Sequence, residues 1–319
     1  MADNNPLDPN HLFDHVQDAD YFEVPRFLTP HGDGHIRLPQ PLANVKLGAD
    51  GVPLADLHGQ PVYESVWEPH TGVALVDDIV QPMNLKLTKF MVLEVVVALI
   101  MCVVFIGLAA KMRGGRRPQG RLWNMLEAML VYLRDHVARP AIGSHDADRF
   151  VPLIWTIFFF VLGCNLMGMV PWLGSPTGAL ATTAALALVT FFTVIGSGMA
   201  RLGVVGFWKA QVPHMDLPKP VAILLVPMIF AIECFGLLIK HFVLAVRLLA
   251  NMIGGHVVLA VLMAFITATA GSLVFWGVMP ASVLGATALS LLELLVAFIQ
   301  AYVFAFLTAL FIGMAVHPH

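Results

Sequence analysis

Downstream of residue 87 the chain is built from apolar runs at about 88–110, 151–171, 179–200, 221–268 and 281–315. Each reaches the roughly 20 residues that a helix needs to cross a hydrocarbon core about 30 Å thick. Lipid cannot satisfy peptide groups, so uninterrupted apolar segments of this length must be helical unless they close into a barrel. The expected fold class is therefore an all-α polytopic membrane protein. Composition agrees, with 58% hydrophobic and 12% charged residues, against about 45–50% and about 25% in soluble domains.

Residues 1–87 are different in kind. Of the 21 acids, 13 lie before residue 87, and Pro, Gly, Asp and His leave little periodicity. This predicts a polar, acidic tail over 1–87, mostly loop with a short amphipathic start near "PNHLFDHV", ahead of a membrane domain over 88–319. The start of the chain has neither a basic n-region nor an apolar h-region, so it does not read as a signal peptide. Within the tail, "HGDGH" (His31, Asp33, His35) has metal-binding residue types but no distant partner set to complete a site. A polar loop is expected there, with no metal and no cofactor. Cys102, Cys164 and Cys234 all fall in apolar runs, so they are expected to be buried free thiols.

Charge sets the orientation. Lys111, Arg113, Arg116, Arg117, Arg121, Arg134, Arg139 and Arg149 crowd the first loop, which the positive-inside rule places in the cytoplasm. Arg201, Lys209 and Lys219 place the loop before residue 221 on the same side. The tail then lies outside. Part of the first loop, "RLWNMLEAMLVYLRDHV", has apolar residues at helical spacing and a polar face, so it is expected to lie on the membrane surface. Glu94, near the outer end of the first run, reads as interfacial.

Two runs are too long. As one helix, 221–268 would extend roughly 70 Å at about 1.5 Å per residue. It is either two spans broken near Lys240–His241 or one strongly tilted helix, and 281–315 is also too long to stand upright. The first of these runs carries Glu233, Lys240 and Arg247 at intervals of seven. That repeat drifts only about 20° per step, so the three form one stripe. Asn251 extends it, while His256 lies on the opposite side. In the last run Glu293 and Gln300 share a stripe that Ser290 and Thr287 extend outward.

Most of these groups have ordinary explanations. Lys240 can snorkel to the headgroups with Glu233 as its interfacial partner. Asn251 and Gln300 can serve as interhelical glue. His256 and Glu293 can form a buried pair that locks two helices. Arg247 resists such readings. An arginine at bilayer depth costs roughly 2.5–3.5 kcal/mol on insertion scales, and a wet, protein-lined ion path is the reading that gives it a purpose.

At these residues a family resemblance becomes specific. "LAVRLLANMIGGH" followed by "SLLELLVAFIQAYVFAFLTALFIG" resembles subunit a of the F-type ATP synthase, and "GCNLMGMVPW" is similar to an earlier stretch of that family. The resemblance covers most of 88–315 and leaves the tail outside. It implies five membrane helices, the last two long and tilted as a hairpin against a rotor ring of c subunits. It also implies peripheral-stalk b subunits and the rest of the complex as partners, in a bacterial inner membrane, with the C-terminus cytoplasmic. No nucleic-acid partner is expected.

In that family Arg247 matches the stator arginine that faces the ring carboxylate. His256 and Glu293 match a pair in the outer half-channel, with acid and histidine exchanged relative to some members. Gln300 and Asn251 match neighbours of the arginine, and Glu233 matches an acid of the cytoplasmic half-channel. Asn165, Ser290, Thr287, Lys240 and His241 are further polar lining candidates. His241 stands where many members have proline. The alternative reading is a secondary transporter that binds an anionic substrate through Arg247, although such transporters commonly show internal repeats and none is visible here.

Overall fold

The computed structural model describes residues 19, 21–23, 35–40, 43–45, 63–65, 87–112, 120–170, 173–212 and 219–317. The chain divides into two compact units, Asp18–Val95 and a larger one formed by Met1–Gln17 with Val96–His319.

In the smaller unit, β1 (Tyr21–Glu23) pairs antiparallel with β2 (His35–Arg37), and β3 (Ala43–Val45) pairs with β4 (Tyr63–Ser65). Two short antiparallel pairs thus stand within the stretch expected to be mostly loop, most of which lies outside the described residues. Three residues are too few for a period-two pattern to register, although aromatic and β-branched residues favour pairing. The Gln40 amide holds the chain just ahead of the first membrane helix. Its Nε2 donates to the Leu87 carbonyl at 2.8 Å, and its Oε1 accepts from the Leu87 N–H at 2.9 Å. His35 lies in β2 opposite Glu23, while His31, Asp33 and the expected amphipathic start lie outside the described residues.

Among the described residues, five helices are long and apolar enough to cross a membrane. They are α1 (Lys89–Met112), α4 (Ala147–Gly168), α5 (Leu180–Leu202), α7 (Lys219–Ala268) and α8 (Phe275–Val316). Between α1 and α4 run α2 (Arg121–Tyr132), a π-helical turn (Leu133–Ala138) and α3 (Arg139–Ile142). The widened turn has a local cause. Pro140 has no N–H for the His136 carbonyl four residues earlier, and the turn absorbs the lost bond. The amphipathic character read here is correct, but the apolar face is not left to lipid alone. Leu133, Val137 and Ile142 are buried in the core formed with α4 and α8. A short α6 (Val204–Ala210) follows α5 and inserts the buried Phe207.

The overlong run is resolved by an uninterrupted α7 of 50 residues. It spans roughly 75 Å at about 1.5 Å per residue, so it can match a bilayer only by tilting or by extending beyond it. A single span here places the end of α8 on the same face as the start of α4 and the end of α5. The ion pairs agree, since Asp146 meets Arg201 at 3.7 Å and His317 at 3.2 Å.

A stripe of small residues packs α8 into the bundle. Ala297, Ala301, Ala305 and Ala309 are at most 1% exposed, and Gly313 continues the four-residue repeat. Small residues at this spacing let helix backbones approach closely. At Gly313 the approach is complete, because a Cβ there would overlap the Ala141 carbonyl of α3. The thiols need a correction: Cys164 is buried, Cys234 is half-buried and Cys102 is exposed. An apolar helix in lipid has no need to turn a cysteine inward.

Candidate functional site

The site is built on α7. Arg247 stands 22 residues after Leu225 and 21 before Ala268, the middle of the apolar span. Leu244 and Leu248 beside it are 2% and 1% exposed, which fixes the inward face of the helix here. Arg247 itself is half-buried. Its guanidinium makes no hydrogen bond or ion pair with any described residue. Glu233 and Lys240 share its stripe, and no ion pair joins them; seven residues separate them by roughly 10 Å along the axis. Around the stripe Phe235, Leu238, Ile239, Phe242 and Val243 are exposed. This charged line thus runs through an apolar outer surface.

The second half of the site comes from α8. The Glu293 carboxylate lies against Gly255, so closely that a Cβ at that position would overlap Oε1. The acid occupies the space a side chain would take here, so any Cβ at this position would displace the Glu293 carboxylate. The hairpin register follows, and Gly285 against Leu262 gives the same one. Eight residues before Gly255 is Arg247, and seven after Glu293 is Gln300. An antiparallel pair aligned at Gly255–Glu293 therefore brings Gln300 to the level of Arg247. Asn251 falls between the two levels.

His256 follows Gly255. Its Nε2 is buried and has no hydrogen-bond partner among the described residues. His256 and Glu293 are thus brought to one level of the hairpin without a direct hydrogen bond or ion pair. The hydroxyls that extend the stripe are occupied within their own helix. Ser290 donates to the Ala286 carbonyl at 2.9 Å and Thr287 to the Val283 carbonyl at 2.8 Å.

Two polar candidates sit apart from this line. His241 is 3% exposed, its Nδ1 bonded to the Leu237 carbonyl at 2.8 Å. Its ring packs against Phe191 and Phe311 at centroid distances of 5.2 and 5.0 Å. Asn165 is fully buried at the end of α4. It accepts from Thr177 Oγ1 at 2.7 Å and donates to the Ala297 carbonyl at 3.3 Å, while Ser175 and Thr177 share a 2.8 Å bond. The cluster fastens α8 between Glu293 and Gln300, one turn from each.

Three features went unread in the sequence: the Gly255 cradle, the small-residue stripe and the Asn165–Thr177–Ser175 cluster. The first two had signals, in the Gly254–Gly255 doublet and in Ala or Gly at every fourth position of α8. The third depends on a turn folding back, which spacing alone does not reveal.

Comparison with known proteins adds an independent line. The family described as "ATP synthase A chain" matches residues 91–313. The chain is 39% identical to the ATP synthase subunit a of Myxococcus xanthus over 240 residues, covering 74% of this chain and 76% of that one. It is 38% identical to the subunit a of Chloroherpeton thalassium over 259 residues, covering 80% and 74%. With the subunit a of Nitrobacter hamburgensis it shares 35% identity over 224 residues, covering 69% and 86%.

Proposed function

Because the chain belongs to the ATP synthase A chain family, we propose that Arg247 is the fixed charge past which a rotor ring of c subunits carries its carboxylates. The protein is a multi-pass membrane subunit, non-catalytic by itself, that translocates ions as part of the ATP synthase complex. The observation that carries the proposal is Arg247 at mid-span, level with Gln300 and with no partner for its guanidinium among the described residues. A guanidinium in that position favours the ionised form of an acid brought beside it. Its insertion cost is offset by transient pairing with each passing carboxylate.

Ions, here taken as protons, reach the ring through two offset half-channels. On the outer side His256 and Glu293 exchange protons, since an imidazole and a carboxyl can each take up and release one and Glu293 lies one residue from His256 across the hairpin. On the cytoplasmic side Glu233 receives the proton, with Lys240 on the stripe between it and Arg247. Arg247 between them stops a proton from crossing directly. Gln300 and Asn251 are polar neighbours of the guanidinium, and Ser290 and Thr287 extend the outer path. Asn165 acts by holding α8 in register, and His241 by packing. The peripheral-stalk b subunits are the stationary partners. No observation favours the secondary-transporter reading.

Pull-down of the tagged full-length chain from membranes tests the partner. Recovery of a ring of c subunits is expected, and recovery of the chain with none would contradict the proposal. The orientation follows from the basic loop at 111–149, with residues 1–87 outside as a separate polar tail, the C-terminus cytoplasmic and a bacterial inner membrane as the setting. A cysteine introduced at Gly115 is expected to react only with reagent on the cytoplasmic side, and one at Gly51 only from outside. The reverse labelling would exchange the two half-channels.

A further inference from the structure

Away from the Arg247 line, a cavity of about 360 Å³ opens between the start of α4 and the end of α5. Its walls include Asp146, Arg149, Phe150, Ser197, Arg201 and Val316. Both arginines sit at span ends, since Arg149 is the third residue of α4 and Arg201 the last but one of α5. That is the depth of lipid headgroups, where basic pockets between membrane helices bind anionic lipid. Beside the two arginines Phe150, Ala200 and Val316 supply apolar wall, and Gly196 and Thr193 line the cavity further along α5 from Arg201.

The charges are unbalanced. The Arg149 guanidinium has no hydrogen bond or ion pair with a described residue, and only its backbone N–H donates, to the Asp146 carbonyl at 3.3 Å. Arg201 is 53% exposed at its side chain and reaches Asp146 only at 3.7 Å. A hydrogen bond from His145, with the Arg201 and His317 charges nearby, holds the Asp146 carboxyl below the usual carboxylate range. Two guanidinium groups against one carboxylate leave one positive charge, matching the single negative charge of a phosphodiester. Asp146 is also shared with His317, at 3.2 Å, so it does not fully occupy Arg201. Ser197 already donates to the Val194 carbonyl at 2.9 Å, which leaves the guanidinium groups as the donors to an incoming anion.

We propose that this cavity binds one anionic phospholipid, its phosphate held between Arg149 and Arg201 and an acyl chain laid against Phe150 and Val316. Such a lipid would bridge the ends of α4, α5 and α8. The full-length chain, reconstituted in bilayers of phosphatidylcholine and phosphatidylglycerol in equal amounts and extracted gently, provides the test through the lipid it retains in native mass spectrometry. Phosphatidylglycerol is expected to be retained over phosphatidylcholine. Replacing both arginines (Arg149→Gln with Arg201→Gln) is expected to lower that retention on the order of thirtyfold, each basic contact contributing about 1 kcal/mol near the surface. Asp146→Asn removes the competing carboxylate and should act in the opposite direction, which separates a binding effect from misfolding. Millimolar inorganic phosphate should leave the lipid bound, because it has no chain for the apolar wall. Equal retention of the two lipids, an unchanged double variant, or displacement by inorganic phosphate would each overturn the proposal.

Discussion

Arg247→Ala is expected to reduce ATP-driven ion pumping to background while the complex still assembles. The two halves of that expectation have separate physical grounds. Pumping fails because a fixed cation beside a carboxylate lowers its pKa by about 1–3 units, and without it an arriving acid keeps its proton past the stator. Assembly survives because the guanidinium makes no bond with a described residue, and removing it relieves an insertion cost of roughly 2.5–3.5 kcal/mol. Lysine should restore function only in part, since it lacks the delocalised fork and can lose its proton. The check is acidification of inverted vesicles, with the amount of assembled complex measured alongside. Pumping at the normal rate by the alanine variant would remove Arg247 from the mechanism.

The second large effect concerns Glu293 and His256. If they pass one proton between them, removing either should slow entry from the outer side but leave the Arg247 barrier intact. The expected defect is slow transport without a leak. Exchanging them (His256→Glu with Glu293→His) should recover more function than either single change. Coupled residues give non-additive effects in a double-mutant cycle, whereas independent ones add. The Gly255 contact supplies a third variant. Gly255→Ala places a Cβ where the Glu293 carboxylate lies, so it should slow transport without changing any titratable group. Strict additivity, no recovery in the exchange and a normal rate for Gly255→Ala would separate the two residues.

Much of this was legible because lipid imposes few solutions. Apolar length alone located all five spans, with shifts at their ends: Asp148 and Arg149 form a first turn of α4 that hydropathy cannot count, and α8 begins at Phe275, six residues before the expected 281, ahead of Pro280. The seven-residue interval of Glu233, Lys240 and Arg247 placed them on one stripe, since a helix repeats its faces almost without regard to context. What the sequence could not supply was the direction each face takes. His241 and Lys240 are adjacent, yet one packs between Phe191 and Phe311 while the other is exposed. Hydrophobicity does not distinguish a face turned to lipid from one turned to protein, which is also why Cys102 was misplaced. The alignment of Arg247 with Gln300 required the hairpin register, and that is fixed by a glycine with no chemistry of its own.

The central claim is that Arg247 is paired by an acid that another subunit brings to it. The direct measurement is the structure of the assembled complex by electron cryomicroscopy, sorted by rotational position of the ring. A ring carboxylate within about 6 Å of the Arg247 guanidinium, the range over which opposite charges shift a pKa, is expected in at least one position. An Arg247 that faces lipid in every position, or that pairs with an acid of its own chain, would contradict the account.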